Sequence, residues 1–396
     1  MTGAWLAILG IGEDGVLAPE AERLLGEATL VVGGARHLAL AGGRVRGRAV
    51  AWPVPMMEGV AGLLAHRPGP AAVLASGDPM WFGVGTTLLR HVAAAEVRVM
   101  PAVSCFALAA ARLGWALDGV ACLSCCGRPV EALRPQVQAG GQLFVLSGDG
   151  ETPGRVAERL VAWGFGASVV HVLEALGGAA ERVRVGTAGA MPGGIGALNI
   201  LGIEVRGGVG LSLAPGLEDG LFAHDGQITK REVRALTLSA LAPRAGELLW
   251  DVGCGSGSVG IEWMLRGASC RAVGVEAQGE RAARARGNAV ALGVPGLVVV
   301  EGRAPEALAG LEAPDAVFLG GGAQGAGVIE AAWAALRPGG RLVANAVVVE
   351  TEVALVGAQG RYGGALLWVG LERLDRVGGM AAYRPAMTVT QWAVTK

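Results

Sequence analysis

Three runs in this 396-residue chain place residues of the right type at a spacing that chemistry can use. The first is Asp251-Val-Gly-Cys-Gly-Ser-Gly257, in which Gly253, Gly255 and Gly257 alternate with Cys254 and Ser256. Glycines so placed let a backbone turn sharply and approach a ligand closely. A dinucleotide fingerprint would read G-x-G-x-x-G, with a pyrophosphate at the helix N-terminus. The G-x-G-x-G spacing behind an acid suits a ligand with an amino-acid tail and no phosphate. Glu276, 25 positions after Asp251, falls at the end of the next expected strand, where a carboxylate can accept both hydroxyls of a ribose. The second run is His224-Asp-Gly-Gln-Ile-Thr-Lys-Arg231, which gathers polar and cationic groups ahead of an expected helix. Within it, Thr229-Lys-Arg-Glu232 has the capping-box pattern: Thr229 would cap the N3 amide and Glu232 reach back. An anion docked there would meet free amides, Lys230 or Arg231. The third is Gly77-Asp78-Pro79, a rigid turn after a buried strand that exposes backbone groups and one carboxylate.

Two further patterns carry less. Gly10-Ile-Gly12-Glu-Asp-Gly15 matches G-x-G-x-x-G, but the next strand, ATLVVGG, ends in Gly33-Gly34 and not in the acid that a dinucleotide site needs. A nicotinamide-linked reductase in the first half is therefore a minor alternative. Cys122 and Cys125 form C-x-x-C without a second ligand pair, so no metal site is expected and the six cysteines read as small thiols.

The elements that must hold these runs follow from composition and period. Hydrophobic residues make up 52% of the chain, too many for a disordered one, and the 67 glycines show no three-residue period, which excludes collagen. A net charge of -1 argues against a nucleic-acid partner. The longest uncharged stretch, Val185–Ile203, contains six glycines and a proline, so no membrane span is expected. The N-terminus has no basic segment ahead of its apolar run, so a cytoplasmic location is expected. Short Val/Leu runs alternate with Ala/Leu/Arg segments of helical spacing, which predicts βαβ units and mostly parallel sheets, an α/β fold. Strands are expected near 5–9, 29–32, 71–75, 97–100, 143–146, 168–172, 198–204, 247–252, 271–276, 297–301, 314–319 and 341–346, with a strand pair at the C-terminus. Helices are expected over 19–28, 83–95, 104–113, 153–163, 257–266, 278–292 and 325–336. The glycine-rich connector Arg206–Gly220 sets the boundary of two modules, 1–208 and 209–396, and the first has two lobes joined near 117–128.

The second module, with its glycine loop, Glu276 and the later runs PDAVFLGGG and LRPGGRLVANAVVVET, resembles the Rossmann-like S-adenosylmethionine-dependent methyltransferases. The resemblance implies cofactor contacts at Thr229, Gly253, Cys254, Gly255, Ser256, Gly257 and Glu276. Many members carry an Asp after the fourth strand; here Arg303 takes its place, so backbone near Ala304 is expected to hold the adenine. The first module, through LASGDPMWFGVG, PAVSCFALAAARLGW, VLSGDGETPGRVAERL and ALNILGIE, resembles the tetrapyrrole methyltransferases of cobalamin and sirohaem synthesis, which bind the same cofactor between two α/β lobes. That implies cofactor contacts at Gly12, Gly77, Asp78, Pro79, Ser104 and Asn199. Two unlike halves on one chain resemble the bifunctional family that methylates a precorrin at C5 and C15 and decarboxylates its C12 acetate. His224, Asp225, Lys230 and Arg231 are then the catalytic candidates, and Arg231, Arg234, Arg303 and Arg341 the expected readers of substrate carboxylates. Trp81 and Phe82 are candidate walls for the macrocycle. A homo-oligomer is expected. The alternative is a single activity, with one half serving as a binding scaffold.

Overall fold

The computed structural model describes residues 3–396. They fall into two compact units: one runs to Val130 and resumes over Gln136–Val209, and the other joins Glu131–Pro135 to Gly210–Lys396. No helix among the described residues is long and apolar enough to cross a membrane.

The first unit opens with β1 (Leu6–Ile11), α1 (Pro19–Glu27), β2 (Leu30–Gly33), α2 (Ala35–Ala41), β3 (Arg48–Ala51), α3 (Met57–Leu64), β4 (Ala71–Ser76), α4 (Val84–Leu88) and β5 (Val97–Met100). Its strands form a parallel sheet in the order β3-β2-β4-β1-β5. Strand residues alternate between its faces: Leu6, Ile8 and Val73 enter one core, while Ala7, Leu9, Ile11 and Leu74 enter the other. Pro19 begins α1, where its missing N–H costs nothing. The expected helix over 83–95 is shorter: α4 stops at Leu88.

The second lobe holds α5 (Cys105–Leu113), β6 (Ala121–Ser124), β7 (Gln142–Leu146), α6 (Thr152–Ala162), β8 (Val169–Glu174), β9 (Arg182–Thr187) and β10 (Asn199–Glu204). Its sheet runs β6-β7-β10-β8-β9, and only β6 and β7 pair in parallel. This sheet departs from the mostly parallel pairing expected, and the joint expected near 117–128 contains β6. Apolar run length does not encode strand direction, so nothing local distinguished the two arrangements.

The second unit continues with α7 (Arg231–Leu241), β11 (Leu248–Val252), α8 (Ser258–Leu265), β12 (Arg271–Glu276), α9 (Gly279–Ala291), β13 (Val298–Glu301), β14 (Ala316–Leu319), α10 (Val328–Ala335), β15 (Arg341–Ala346), α11 (Val349–Tyr362), β16 (Ala365–Val369), β17 (Glu372–Val377), β18 (Met380–Pro385) and β19 (Val389–Thr395). Seven strands form the order β13-β12-β11-β14-β15-β19-β16, parallel as far as β15 and antiparallel through β19 and β16. The expected strand pair at the C-terminus is four strands, of which β17 and β18 make a separate hairpin. In open parallel sheets ligands bind beyond the carboxyl ends of the strands. The turns after β1 and β4, and after β11 and β12, carry the runs singled out above.

Candidate functional site

In the second unit, β11 delivers Asp251 and then turns at Gly253, Gly255 and Gly257, which have φ of 71, 55 and 76°. The first turn is fixed by crowding: a Cβ on Gly253 would lie 2.9 Å from the carbonyl oxygen of Gly321. A Cβ on Gly255 would meet nothing within 4 Å. The loop thus leaves open space over its centre, where a ligand can approach backbone. Glu276, at the end of β12, is 6% exposed. Its Oε2 accepts from Gly255 N–H at 2.9 Å and its Oε1 from Gln278 N–H at 3.0 Å. Each carboxylate oxygen keeps acceptor capacity for a hydroxyl. Ser256 is buried and its Oγ has no hydrogen-bond partner. The thiol of Cys254 packs against Gly274, and burial pushes it far above the usual thiol range. Cys254 therefore offers backbone alone. The open space at Gly255, the Glu276 carboxylate and the orphaned Ser256 hydroxyl fit a nucleoside with a polar tail.

Asn288 on α9 was not singled out in the sequence, yet it joins this loop to the run at 224–231. Its Oδ1 accepts from Ala223 N–H at 2.8 Å, and its Nδ2 donates to the carbonyls of Ala223 and Ser256, both at 2.9 Å. His224 is half-buried, with Nδ1 accepting from Gly226 N–H at 3.0 Å. Asp225 accepts from Gln227 N–H and pairs with Arg281 at 2.8 Å and Arg284 at 3.2 Å. That backbone bond first, then the guanidiniums, hold its carboxyl down at about 2. Asp225 thus anchors the turn to α9 as a permanent anion.

The capping box does not form. Helix α7 begins at Arg231, its N-cap is Lys230, and no side chain caps it. Thr229 instead gives its carbonyl to Arg234, and Glu232 pairs with Arg373 at 2.5 Å. Lys230 and Arg231 are exposed, facing Asp219 at 3.9 Å and Glu218 respectively. Two expected carboxylate readers are corrected. Arg234 has no exposed side-chain surface and meets Glu262, itself fully buried, at 2.5 Å, plus the carbonyl of Leu217. Arg341 is buried on Glu247 at 2.5 Å and the carbonyls of Leu241 and Ala242. Both guanidiniums are spent on the fold. Ala304 packs by its side chain against the core beneath β11 and β14.

In the first unit, Gly12, Gly77, Asp78, Ser104 and Asn199 line one cleft of about 410 Å³, together with Trp81, Phe82, Phe106 and Leu176. Pro79 is not part of that lining; its carbonyl accepts from Gly85 N–H at 3.0 Å. Gly10 must be glycine, because a Cβ there would lie 2.0 Å from the Gly77 carbonyl oxygen and 2.5 Å from Ala102 N. Asp78 Oδ1 accepts from Met80 N–H at 2.8 Å, and Ser104 caps α5 through Ala107 N–H at 3.1 Å. Asn199 donates to the carbonyls of Gly196 at 2.9 Å and Asp149 at 3.2 Å, while its buried Oδ1 has no partner. Glu13, Arg36, His37 and Ser76 also line the cleft and were missed. They stand apart in the sequence, and no spacing motif links them.

Two family models match the chain: "Tetrapyrrole (Corrin/Porphyrin) Methylases" over residues 6–192 and "Precorrin methyltransferase domain" over 220–396. Similar curated proteins include a precorrin-6Y C(5,15)-methyltransferase [decarboxylating] of Sinorhizobium sp, 54% identical over 99% of this chain and 96% of the relative. One of Mycobacterium tuberculosis with the same name is 42% identical over 99% of this chain and all of the relative. Among solved structures, the C-terminal domain of precorrin-6Y C5,15-methyltransferase from Rhodobacter capsulatus covers 47% of this chain and all of that chain, at 44% identity and a TM-score of 0.45. With identity of this degree along its whole length, the chain belongs to the family of precorrin-6Y C(5,15)-methyltransferases (decarboxylating).

Proposed function

We propose that this chain transfers two methyl groups from S-adenosylmethionine to a precorrin, at C5 in the first unit and at C15 in the second, and that the second unit removes carbon dioxide from the C12 acetate. The observation that carries this reading is kinship over the full length, 54% identity across 99% of the chain, with proteins named for both methylations and the decarboxylation. The first unit also has a cleft of about 410 Å³ at the ends of β1 and β4, and the second unit leaves open space at Gly255 after β11.

When bound, the cofactor supplies an electrophilic methyl group on a sulfonium. In the second unit, backbone at Gly253–Gly257 would approach it and Glu276 would accept its ribose hydroxyls, while Asn288 ties the loop to the turn at His224. In the first unit, Gly12, Gly77, Asp78, Ser104 and Asn199 Oδ1 would receive it, while Trp81 and Phe82 would wall the macrocycle. The nucleophile is an electron-rich meso carbon, so alignment and exclusion of water supply most of the rate gain. A methyl carbon–sulfur bond breaks as a carbon–carbon bond forms, and the substrate releases a proton. In decarboxylation the bond to the carboxylate breaks, its electron pair enters the macrocycle, and a proton replaces carbon dioxide. The uncapped start of α7, with Lys230 and Arg231, is suited to hold that acetate before it leaves. A homo-oligomer and a cytoplasmic location belong to the same proposal.

The test is mass spectrometry of the product formed by the whole chain from a precorrin. Two added methyls with loss of one carbon dioxide support the reading. One methyl without that loss favours a single activity on a scaffold.

A further inference from the structure

Arg36 is the one Lys or Arg among the residues that line the first unit's cleft. Its side chain is 36% exposed and pairs with Glu13, itself 21% exposed. The rest of its fork is tied down: one nitrogen meets Ser76 Oγ at 2.8 Å and His37 Nε2 at 3.0 Å. Ser76 and His37 contact each other at 2.7 Å. Burial first, and the charge of Arg36 second, lower the His37 imidazole to about 4. A neutral ring can accept the guanidinium proton at Nε2. Its own proton then sits on Nδ1, which is buried and has no partner. Gly34 leaves room beside that atom: a Cβ there would lie 3.3 Å from Nδ1.

Position within the sheet separates Arg36 and His37 from the expected cofactor contacts, while their partners Glu13 and Ser76 adjoin Gly12 and Gly77. Gly12, Gly77 and Ser104 follow β1, β4 and β5, on one side of the strand order. Arg36 and His37 follow β2, on the far side of β4, where Trp52 and Met56 complete the lining. That end of the cleft joins the apolar side chains of Trp52 and Met56 to a single guanidinium. A disc with carboxylates on its rim needs both features, and a guanidinium fork matches a carboxylate in two bonds.

We propose that Arg36 reads a peripheral carboxylate of the tetrapyrrole in the first unit. Glu13 occupies the fork until the substrate carboxylate displaces it, and His37 and Ser76 position the guanidinium. This rests on the methylation assigned above to the first unit, and deepens it by naming the residue that registers the macrocycle.

The experiment uses the whole chain and follows the two methylations separately. Arg36→Ala should raise the KM for tetrapyrrole in C5 methylation roughly ten- to hundredfold, as expected for losing a charged pair of hydrogen bonds. The KM for S-adenosylmethionine should be unchanged. Arg36→Lys should recover part of the loss, because it keeps the charge without the fork. Glu13→Gln should not raise the tetrapyrrole KM, since it removes a competitor. C15 methylation by the same variants reports that the chain is folded. Three results would overturn the inference: an unchanged tetrapyrrole KM in Arg36→Ala, a rise confined to the cofactor KM, or a Glu13→Gln variant as impaired as Arg36→Ala, which would make the pair structural. A wild-type chain that methylates no tetrapyrrole would instead sink the proposed function.

Discussion

Asp251 sits at the end of β11, 1% exposed, with Oδ2 accepting from Gly260 N–H at 2.9 Å. Burial, with a smaller push from Glu276, raises its carboxyl from 3.8 to about 7. Between those values the folded chain holds a proton that the unfolded chain has released, so stability falls as pH rises through this window. Asp251→Asn keeps an acceptor for Gly260 and removes the titration. Its melting temperature should gain on that of the wild type from about pH 4 to about pH 7; a difference flat across that range would show that Asp251 stays charged. Arg234 and Arg231 offer a paired test. Arg234→Ala leaves Glu262 buried without its partner and should cost about 3–5 kcal/mol of unfolding free energy. Arg231→Ala breaks an exposed pair and should cost about 1 kcal/mol or less. Denaturant titration of both variants measures the contrast. At this scale the sequence yielded the local motifs: Gly253–Gly257 with Glu276, and the residues that meet in the first unit's cleft. Burial was not readable, so Arg234 and Arg341 resembled Arg231, and Glu13, Arg36, His37 and Ser76 carried no shared spacing.

Among the elements, α9 does two jobs. Its N-terminal half holds Asp225 through Arg281 and Arg284, and Asn288 near its end bonds Ala223 and Ser256. Asn288→Ala leaves Ala223 N–H and two carbonyls without their partner, at a cost of about 1–3 kcal/mol for an unmet buried group. It should also raise the cofactor KM for C15 methylation while sparing C5; steady-state kinetics of both steps checks this, and an equal effect on the two would contradict it. The strongly periodic elements were legible: β12 and β15 fall over the expected residues, and α5 and α9 within one or two. The misses have physical reasons. Strands β3 and β9 are largely exposed, so neither shows a buried apolar run. Helix α11 begins Val-Glu-Thr-Glu-Val, where β-branched residues favour a strand until packing of Leu355 and Ala358 decides otherwise.

For the whole molecule, one chain is asked to do two unlike methyl transfers, with separate cofactor contacts proposed in each unit. The Rossmann-like half was legible because its glycine loop and acid are local, whereas the antiparallel sheet of the first unit depends on pairing between distant strands. Independence of the two sites is the central claim, and Glu276 tests it. It is buried beside Gly255 in the second unit, and no expected contact of the first unit involves it. Given a precorrin, the wild-type chain should add two methyls and release carbon dioxide. Losing a charged acceptor of two hydroxyls should weaken the second site by about 1.5–3 kcal/mol per bond. The decisive measurement is the product mass from Glu276→Ala in the full chain, at cofactor levels that saturate the first site. The account predicts a product that carries the first unit's methyl and lacks the second unit's. A folded variant that loses both methylations, or that still adds both methyls at the wild-type rate, would contradict it.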